Sequence, residues 1–479
     1  MTRYEPIIGL EVHCQLNTRS KLFSPCSFAF GDPPNTHTDP YVWAMPGTLP
    51  VLNGHAVSLA IRLALATHSR IEPISRFARK HYFYPDLPKG YQISQADQPY
   101  CTGGYVDLPE TADQPSKRVR LIRIHLEEDA GKNTHVTGRD FSLVDYNRAG
   151  VPLCEIVSEP DLRSAAEAVA YLRELRTIVR YLGICEANME EGSLRCDANV
   201  SLRRHGATEL GTRCEIKNLN SFKFLEAAIE AEVRRQTDLV ERGEPIRQCT
   251  LSFDPQRDRT RVMRSKEEAA DYRYLPDPDL PPLQIDQAWI ADEQAHLPEL
   301  PGARRARYAG LGLSSYDVSV LTNEPALAEF FDATIELGSE PKSACNWITV
   351  ELLGRLNADS KTPAQSPVSP RDMHDLLDLL KRGTISGRVG KDVFQKMYLE
   401  GRRAQEIVEQ DGLGQISDAN VLRDLVAAVL ADHPDQVAEF RQGKTKVRGF
   451  FVGQIMRRSR GQANPSVVNT VLDELLASP

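Results

Sequence analysis

Leu121–Lys132 reads L-I-R-I-H-L-E-E-D-A-G-K, and its two halves call for different surroundings. In an extended segment side chains alternate faces, so Ile122, Ile124 and Leu126 are expected in a core while Arg123, His125 and Glu127 face the other way. The segment ends in Glu127, Glu128 and Asp129, followed by Ala130-Gly131. Carboxylates converging there repel one another unless a cation sits among them. Ile8–Leu16, I-G-L-E-V-H-C-Q-L, repeats the design with Ile8, Leu10 and Val12 on one face and Glu11, His13 and Gln15 on the other. Glu11 and His13, two residues apart, sit about 7 Å from each other along a strand and can reach one ion or its waters. Leu194–Arg203 alternates likewise, with Arg195, Asp197, Asn199 and Ser201 outward, and Glu215 shares a face with Lys217. Four such segments predict a mostly antiparallel sheet with one apolar face and one charged, working face.

The 479 residues exceed one ordinary domain and suggest roughly three. No apolar run approaches the ~20 residues that span a bilayer, and the first residues lead into a strand, so no membrane association and cytoplasmic residence are expected. Nine cysteines without a C-x-x-C pair argue against a disulfide framework. The net charge of −8 means that any nucleic-acid contact must come from a local patch.

Helical spacing predicts helices over Gly54–His68, Ser164–Leu182 and Ser221–Arg242, the second opened by a capping box of Ser164 and Glu167 and stopped at Gly183. Arg79–Gln92 mixes cations and aromatics in a Pro-rich loop, a composition suited to phosphate or nucleotide contact, although such an aromatic cluster more often packs than binds. Beyond about Glu299 helical periodicity takes over, as in Ala326–Leu337 and Ala344–Leu356, and the polar, Pro- and Ser-rich Asn357–Pro370 reads as a flexible loop. No acid lies between Arg441 and Leu472, whereas Lys444, Lys446, Arg448, Arg457, Arg458 and Arg460 do, a pattern that predicts a phosphate-facing patch. The chain has neither G-x-x-x-x-G-K-[ST] nor G-x-S-x-G, which excludes a P-loop ATPase and argues against an α/β-hydrolase triad. From the residues alone, a metal-dependent phosphoryl-transfer enzyme with an RNA-facing tail competes with a metal-dependent nuclease and with a non-catalytic RNA-binding scaffold.

I-G-L-E-V-H at 8–13, Y-F-Y-P-D-L-P-K-G-Y-Q-I-S-Q at 82–95, H-L-E-E-D-A-G-K at 125–132, D-Y-N-R-A-G-V-P-L at 145–153, E-E-G-S-L-R-C-D-A-N at 190–199, E-I-K-N-L-N-S at 215–221, D-Y-R-Y at 271–274 and F-V-G-Q-I-M at 451–456 resemble the B-subunit family of tRNA-dependent amidotransferases along the whole chain. The resemblance implies an α+β fold: a glutamine-synthetase-like cradle over 1–294, a helical domain over 295–407 and a tRNA-binding helical tail over 408–479. It implies an enzyme component that uses ATP and Mg²⁺ to phosphorylate the side-chain carboxylate of misacylated Glu-tRNA(Gln) or Asp-tRNA(Asn). Ammonia from the amidase subunit (A) then displaces the phosphate, in a heterotrimer completed by a small subunit (C). The family's metal-binding positions fall on Glu11, His13, Glu127, Glu128, Asp197 and Glu215, with the split between Glu127 and Glu128 open. Its basic positions fall on Lys80, Lys89 and Arg148, expected at ATP, the acyl phosphate or the ammonia path, and Glu128, His13, Lys89 and Arg148 are the expected catalytic set. Some members hold a zinc ion in the loop that is Ser24–Val42 here; only Cys26 remains of the thiols, beside Ser24, Asp39 and Val42, so no structural zinc is expected.

Overall fold

The computed structural model describes residues 3–95, 97–111, 114–136, 138–265, 272–416, 418–459 and 461–477. They form two compact units, Met1–Arg304 and Arg305–Pro479. The first is built on a ten-stranded sheet of β1 (Tyr4–Gln15), β2 (Arg70–Ile71), β3 (Cys101–Thr102), β4 (Tyr105–Leu108), β5 (Lys117–Glu128), β6 (Pro152–Ser158), β7 (Leu194–Arg204), β8 (Cys214–Leu219), β9 (Cys249–Asp254) and β10 (Arg259–Ser265). The strand order is β10-β9-β8-β7-β1-β6-β5-β3-β2, with β4 also on β5. Every pairing is antiparallel except β8 with β9.

Alternation is what gives this sheet two different faces. Ile8, Leu10, Val12 and Cys14 of β1 are buried with Ile124 and Leu126 of β5, Cys154 and Ile156 of β6, and Cys196, Ala198 and Val200 of β7. Three helices supply the other half of that core: α1 (Gly54–Ala66), α2 (Ala165–Tyr181) and α3 (Phe222–Glu241). Each opens on a side chain that satisfies orphan backbone donors: Asn53 accepts from His55 and Ala56, Ser164 from Glu167, Ser221 from Phe224. The reciprocal half of the expected capping box is not made. Glu167 instead accepts from the backbone N–H of Arg163 at 2.7 Å and from Lys117 at 2.6 Å, which ties the helix entrance to β5.

Strand β5 departs from strict alternation at one place. Val157 of β6 pairs with Arg123 and Ser158 with Leu121, so Ile122 is an extra residue in β5. This bulge turns Leu121 into the core and leaves Ile122 exposed, against the sequence expectation, while Ile124 and everything beyond it keep phase. A smaller sheet of Ala78–His81, Tyr91–Ser94 and Leu275–Pro276 lies beside β5. It is bonded there by Gln92 Nε2, which donates to the Glu128 carbonyl at 2.7 Å, and by Ser94 Oγ, 3.2 Å from Glu127 Oε2.

The second unit is helical among its described residues. Pro325–Glu336 begins with Pro at its first turn, where a missing N–H costs nothing. The expected helix Ala344–Leu356 is present in pieces, because Trp347–Leu352 follows a π-helical path between Pro341–Asn346 and Leu353–Ala358. The stretch expected as a flexible loop carries a 3₁₀ turn, Pro363–Gln365, closed by a reciprocal Thr362–Gln365 cap. Leu422, Val426, Phe451, Ile455, Val468 and Leu472 form a separate core for the tail helices. The first unit ends at Arg304, and the residues from Arg305 on, including those of the expected tail, lie in the second.

Candidate active site

The polar face of the sheet is organised in cross-strand rows. His125 pairs with Glu155, Glu155 with His13, and His13 with Arg195, so four charged or titratable side chains line up across β5, β6, β1 and β7. One step along, Glu11 lies opposite Asp197. Side chains directly opposite on one face stand about 4.5–5.5 Å apart at Cβ, close enough for carboxylates to converge. They form two groups. The ligand atoms of His13, Glu127 and Glu155 all lie within 4.8 Å of one another, and so do those of Glu11, Asp197 and Glu215.

In the first group His13 Nε2 is 3.2 Å from Glu155 Oε2 and 3.6 Å from Glu127 Oε1, and His125 Nε2 is 3.4 Å and 3.6 Å from the same two carboxylates. Burial alone would push both acids up and both imidazoles down. Their mutual charges outweigh it: Glu155 is held well below the usual carboxylate range, Glu127 below it, and His125 is lifted to about 9. Without a cation, this cluster relies on protonated histidine for its neutrality. The Nδ1 of His125 is buried without a hydrogen-bond partner among the described residues. In the second group burial, with Glu155 and Glu215 nearby, raises the Glu11 carboxyl, while Asn199 donates to it at 2.9 Å. There a protein cation already intervenes, since Lys217 Nζ is 2.8 Å from both Asp197 and Glu215. Hard oxygen donors with one imidazole suit a divalent cation such as Mg²⁺, and the residues of the first group fit one.

Five of the expected metal residues, Glu11, His13, Glu127, Asp197 and Glu215, are thus brought to one face in these two groups. Glu128 is not among them. One residue on from Glu127, it points to the opposite side, where it forms an ion pair with Lys89 and accepts from the Ile93 N–H at 2.9 Å. Lys89 Nζ also lies 4.7 Å over the Tyr41 ring, and both residues border a small cavity with the buried Lys21, whose ammonium is depressed to about 8 by its burial. Arg148 sits apart as well: it donates to the carbonyls of Ala130 at 2.9 Å and Gly131 at 2.8 Å, and so fixes the turn after β5. That turn requires glycine, because a Cβ on Gly131 would come within 2.9 Å of the Asp145 carbonyl and 3.1 Å of that of Asp86. Lys80, by contrast, is directed to the first group. Burial lowers its ammonium, but Glu127, Tyr274 and Glu155 more than reverse this, and it lies 5.1 Å over the Tyr272 ring.

Sequence reasoning placed His125 and Arg195 on the charged face without giving them a role at the site, and missed Glu155 altogether. Glu155 stands in L-C-E-I-V, which reads as a strand buried on both faces. The lone acid in that apolar run was the signal.

In the loop Ser24–Val42, Ser24 Oγ donates to Asp39 Oδ2 at 2.5 Å and accepts from the Cys26 N–H at 3.0 Å, and Asp39 Oδ1 accepts from the Val42 N–H at 2.8 Å. A hydrogen-bonded net thus occupies the positions at which a thiolate set would be needed.

In the second unit, folding supplies the tail with acids that its sequence lacks. Arg448 makes a two-pronged pair with Asp473 at 2.7 and 2.8 Å, Arg458 lies 2.5 Å from Asp432 and Lys444 3.3 Å from Glu439. Lys446 and Arg457 are exposed and have no acidic partner among the described residues. Arg460 lies outside the described residues.

Residues 6–291 match the GatB/GatE catalytic domain and residues 329–476 the GatB domain. The B subunit of an aspartyl/glutamyl-tRNA(Asn/Gln) amidotransferase from Solidesulfovibrio magneticus is 52% identical over 477 residues, covering 99% of this chain and 100% of the relative. Its counterpart from Geotalea daltonii is 53% identical, covering 98% of each chain, and that from Moorella thermoacetica 50%, covering 99% of this chain and 100% of its own. Full-length identity at this level, with both domains in order, shows that the chain belongs to the family of B subunits of glutamine-dependent aspartyl/glutamyl-tRNA amidotransferases.

Proposed function

We propose that the first unit phosphorylates the side-chain carboxylate of misacylated Glu-tRNA(Gln) or Asp-tRNA(Asn) with ATP and passes the acyl phosphate to ammonia, giving Gln-tRNA(Gln) or Asn-tRNA(Asn). The observation that carries this reading is the group His13, Glu127 and Glu155, within 4.8 Å of one another on a sheet face where, among the described residues, no lysine or arginine is ion-paired to either acid. Glu127 and Glu155 would hold Mg²⁺, with His13 beside them; when bound, the ion would supply the positive charge that phosphoryl transfer draws on. Lys80 faces the same acids and offers a second cation for phosphate or acyl oxygens. Glu11, Asp197 and Glu215, with Lys217 between two of them, are assigned to the same charge field, as a second place for a cation. Lys89, Glu128 and Arg148 act by position, holding the small sheet and the turn that frame the face. The ammonia comes from an amidase subunit (A), and a small subunit (C) completes a cytoplasmic heterotrimer that uses ATP and Mg²⁺ and carries no structural zinc. The test is to purify the chain with its partners: it should co-elute with an amidase and a small subunit, and should form ADP in step with amidated tRNA only when misacylated tRNA is present. ADP formation independent of misacylated tRNA would reject the reading.

The tail enters this proposal with fewer free charges than its sequence promised. Lys444, Arg448 and Arg458 would have to exchange an acid for a phosphate, whereas Lys446 and Arg457 would reach the tRNA backbone at no such cost. Replacing both with Ala is expected to raise the KM for misacylated tRNA. The slope of log KM against log salt should flatten by about 0.7–0.9 for each phosphate that is no longer neutralised. Replacing Arg448 and Arg458 should flatten it less. Salt titrations of the two double variants check this, and an unchanged slope for Lys446→Ala/Arg457→Ala would remove the patch from the interface.

A further inference from the structure

Beside the acidic group stands a wall of aromatic rings that the proposed chemistry leaves unused. Tyr82, Phe83 and Tyr84 follow Ala78–His81, the central strand of the small sheet, and Tyr272 and Tyr274 precede its partner Leu275–Pro276. The two segments are tied together: the His81 N–H donates to the Tyr272 carbonyl at 2.8 Å, and His81 Nδ1 lies 2.9 Å from the Arg273 carbonyl. Ring centroids run 6.1 Å from Tyr84 to Tyr82, 6.4 Å on to Tyr272 and 6.3 Å on to Tyr274. Tyr82 and Tyr272 meet at 78° and Tyr272 and Tyr274 at 70°, both edge to face. Phe83 is 87% exposed, Tyr84 53% and Tyr274 46%. Apolar rings grouped in water mark a surface that something covers.

The neighbours of the wall indicate what that is. Lys80 lies on the Tyr272 ring and pairs across the small sheet with Gln92, which donates to the Glu128 carbonyl at 2.7 Å. The same small sheet is bonded to Glu127 through Ser94. The wall is therefore continuous with the place where a carboxylate would be phosphorylated, a reading on which this inference rests. In an aminoacyl-tRNA only a short acyl chain and one ribose separate that carboxylate from the terminal adenine. In ATP the whole triphosphate separates the transferred phosphorus from its adenine, which places that base farther off. We infer that the aromatic wall of Tyr82, Tyr84, Tyr272 and Tyr274 is the stacking subsite for the 3′-terminal adenosine of the misacylated tRNA. A base has a π-face whatever its edge carries, so such a wall accepts the common tRNA end without discriminating between Glu- and Asp-tRNA.

The test uses the assembled amidotransferase with Tyr84→Ala and Tyr274→Ala, and with Phe at each position to keep the ring. ADP formation is followed with either misacylated tRNA or ATP as the varied substrate. The expected result is a KM for misacylated tRNA raised about five- to hundredfold in the Ala variants, restored in the Phe variants, with the KM for ATP unchanged. A raised KM for ATP instead would assign the wall to the nucleotide and overturn the inference. So would unchanged values for both substrates, or a loss of subunit co-elution, which would make the wall an interface. If wild-type complex forms no ADP with misacylated tRNA, the proposed function fails, a result distinct from any of these.

Discussion

Replacing Glu155 by Gln is expected to lower tRNA-dependent ADP formation by roughly a thousandfold, as is replacing Glu127, while glutamine hydrolysis by the partner amidase continues. The substitution keeps size and hydrogen bonding but removes one of the negative charges that define the group with His13. A metal-assisted charge contribution of several kcal/mol, at about 1.4 kcal/mol per decade, corresponds to that loss. The packing beneath should survive, because the apolar side chains of β5 and β6 lie on the opposite face. The assay follows both outputs in one tube, ADP from ATP and glutamate from glutamine. ADP at the wild-type rate would show that the cluster is a structural network of histidines and acids and no more.

The second large effect concerns stability. Asp129 is buried and accepts from Arg195 Nη2 at 2.7 Å, from Gln15 Nε2 at 3.0 Å and from the Ala130 N–H at 2.9 Å, with Arg148 Nε 3.6 Å away. Removing one member of such a pair leaves the other charge without its partner, so Asp129→Ala is expected to cost about 3–5 kcal/mol, read as a fall in the denaturant midpoint. Asp129→Asn should cost less, since it keeps the size and one oxygen acceptor, for either Gln15 or the Ala130 N–H. Burial pushes the Asp129 carboxyl up, but Arg195 and Arg148 hold it below the usual range. A group whose folded value is depressed stabilises the fold above its unfolded value, and that contribution fades as pH falls through the folded one. The difference between wild type and variant should therefore be full at neutral pH and shrink in acid.

The working face was legible because period-two alternation survives in β1 and β7 without interruption. That is why Glu11, His13 and Asp197 could be placed together from sequence alone. Two things hid the rest. The bulge at Ile122 resets the phase of β5, and sequence carries no local sign of it, since Ile122 is as apolar as Leu121. Glu127 and Glu128 lie beyond the bulge, where the phase holds, and the structure separates them by turning Glu127 to His13 and Glu128 to Lys89. Glu155 was hidden by its apolar neighbours, though its register opposite both His13 and His125 makes it the centre of the row. In the tail the charge pattern was real, but the partners Asp432 and Asp473 lie 26 and 25 residues from Arg458 and Arg448, where no linear window pairs them.

Whether this face binds a divalent ion through Glu127 and Glu155 is best measured directly, by titrating Mn²⁺ into the protein and following the free ion by electron paramagnetic resonance with Mg²⁺ as competitor. Wild-type protein should take up Mn²⁺ and release it to Mg²⁺, Glu155→Gln should lose that uptake, and Glu128→Gln, whose carboxylate is turned to Lys89, should keep it. Equal uptake by wild type and Glu155→Gln, or its loss in Glu128→Gln alone, would contradict the assignment.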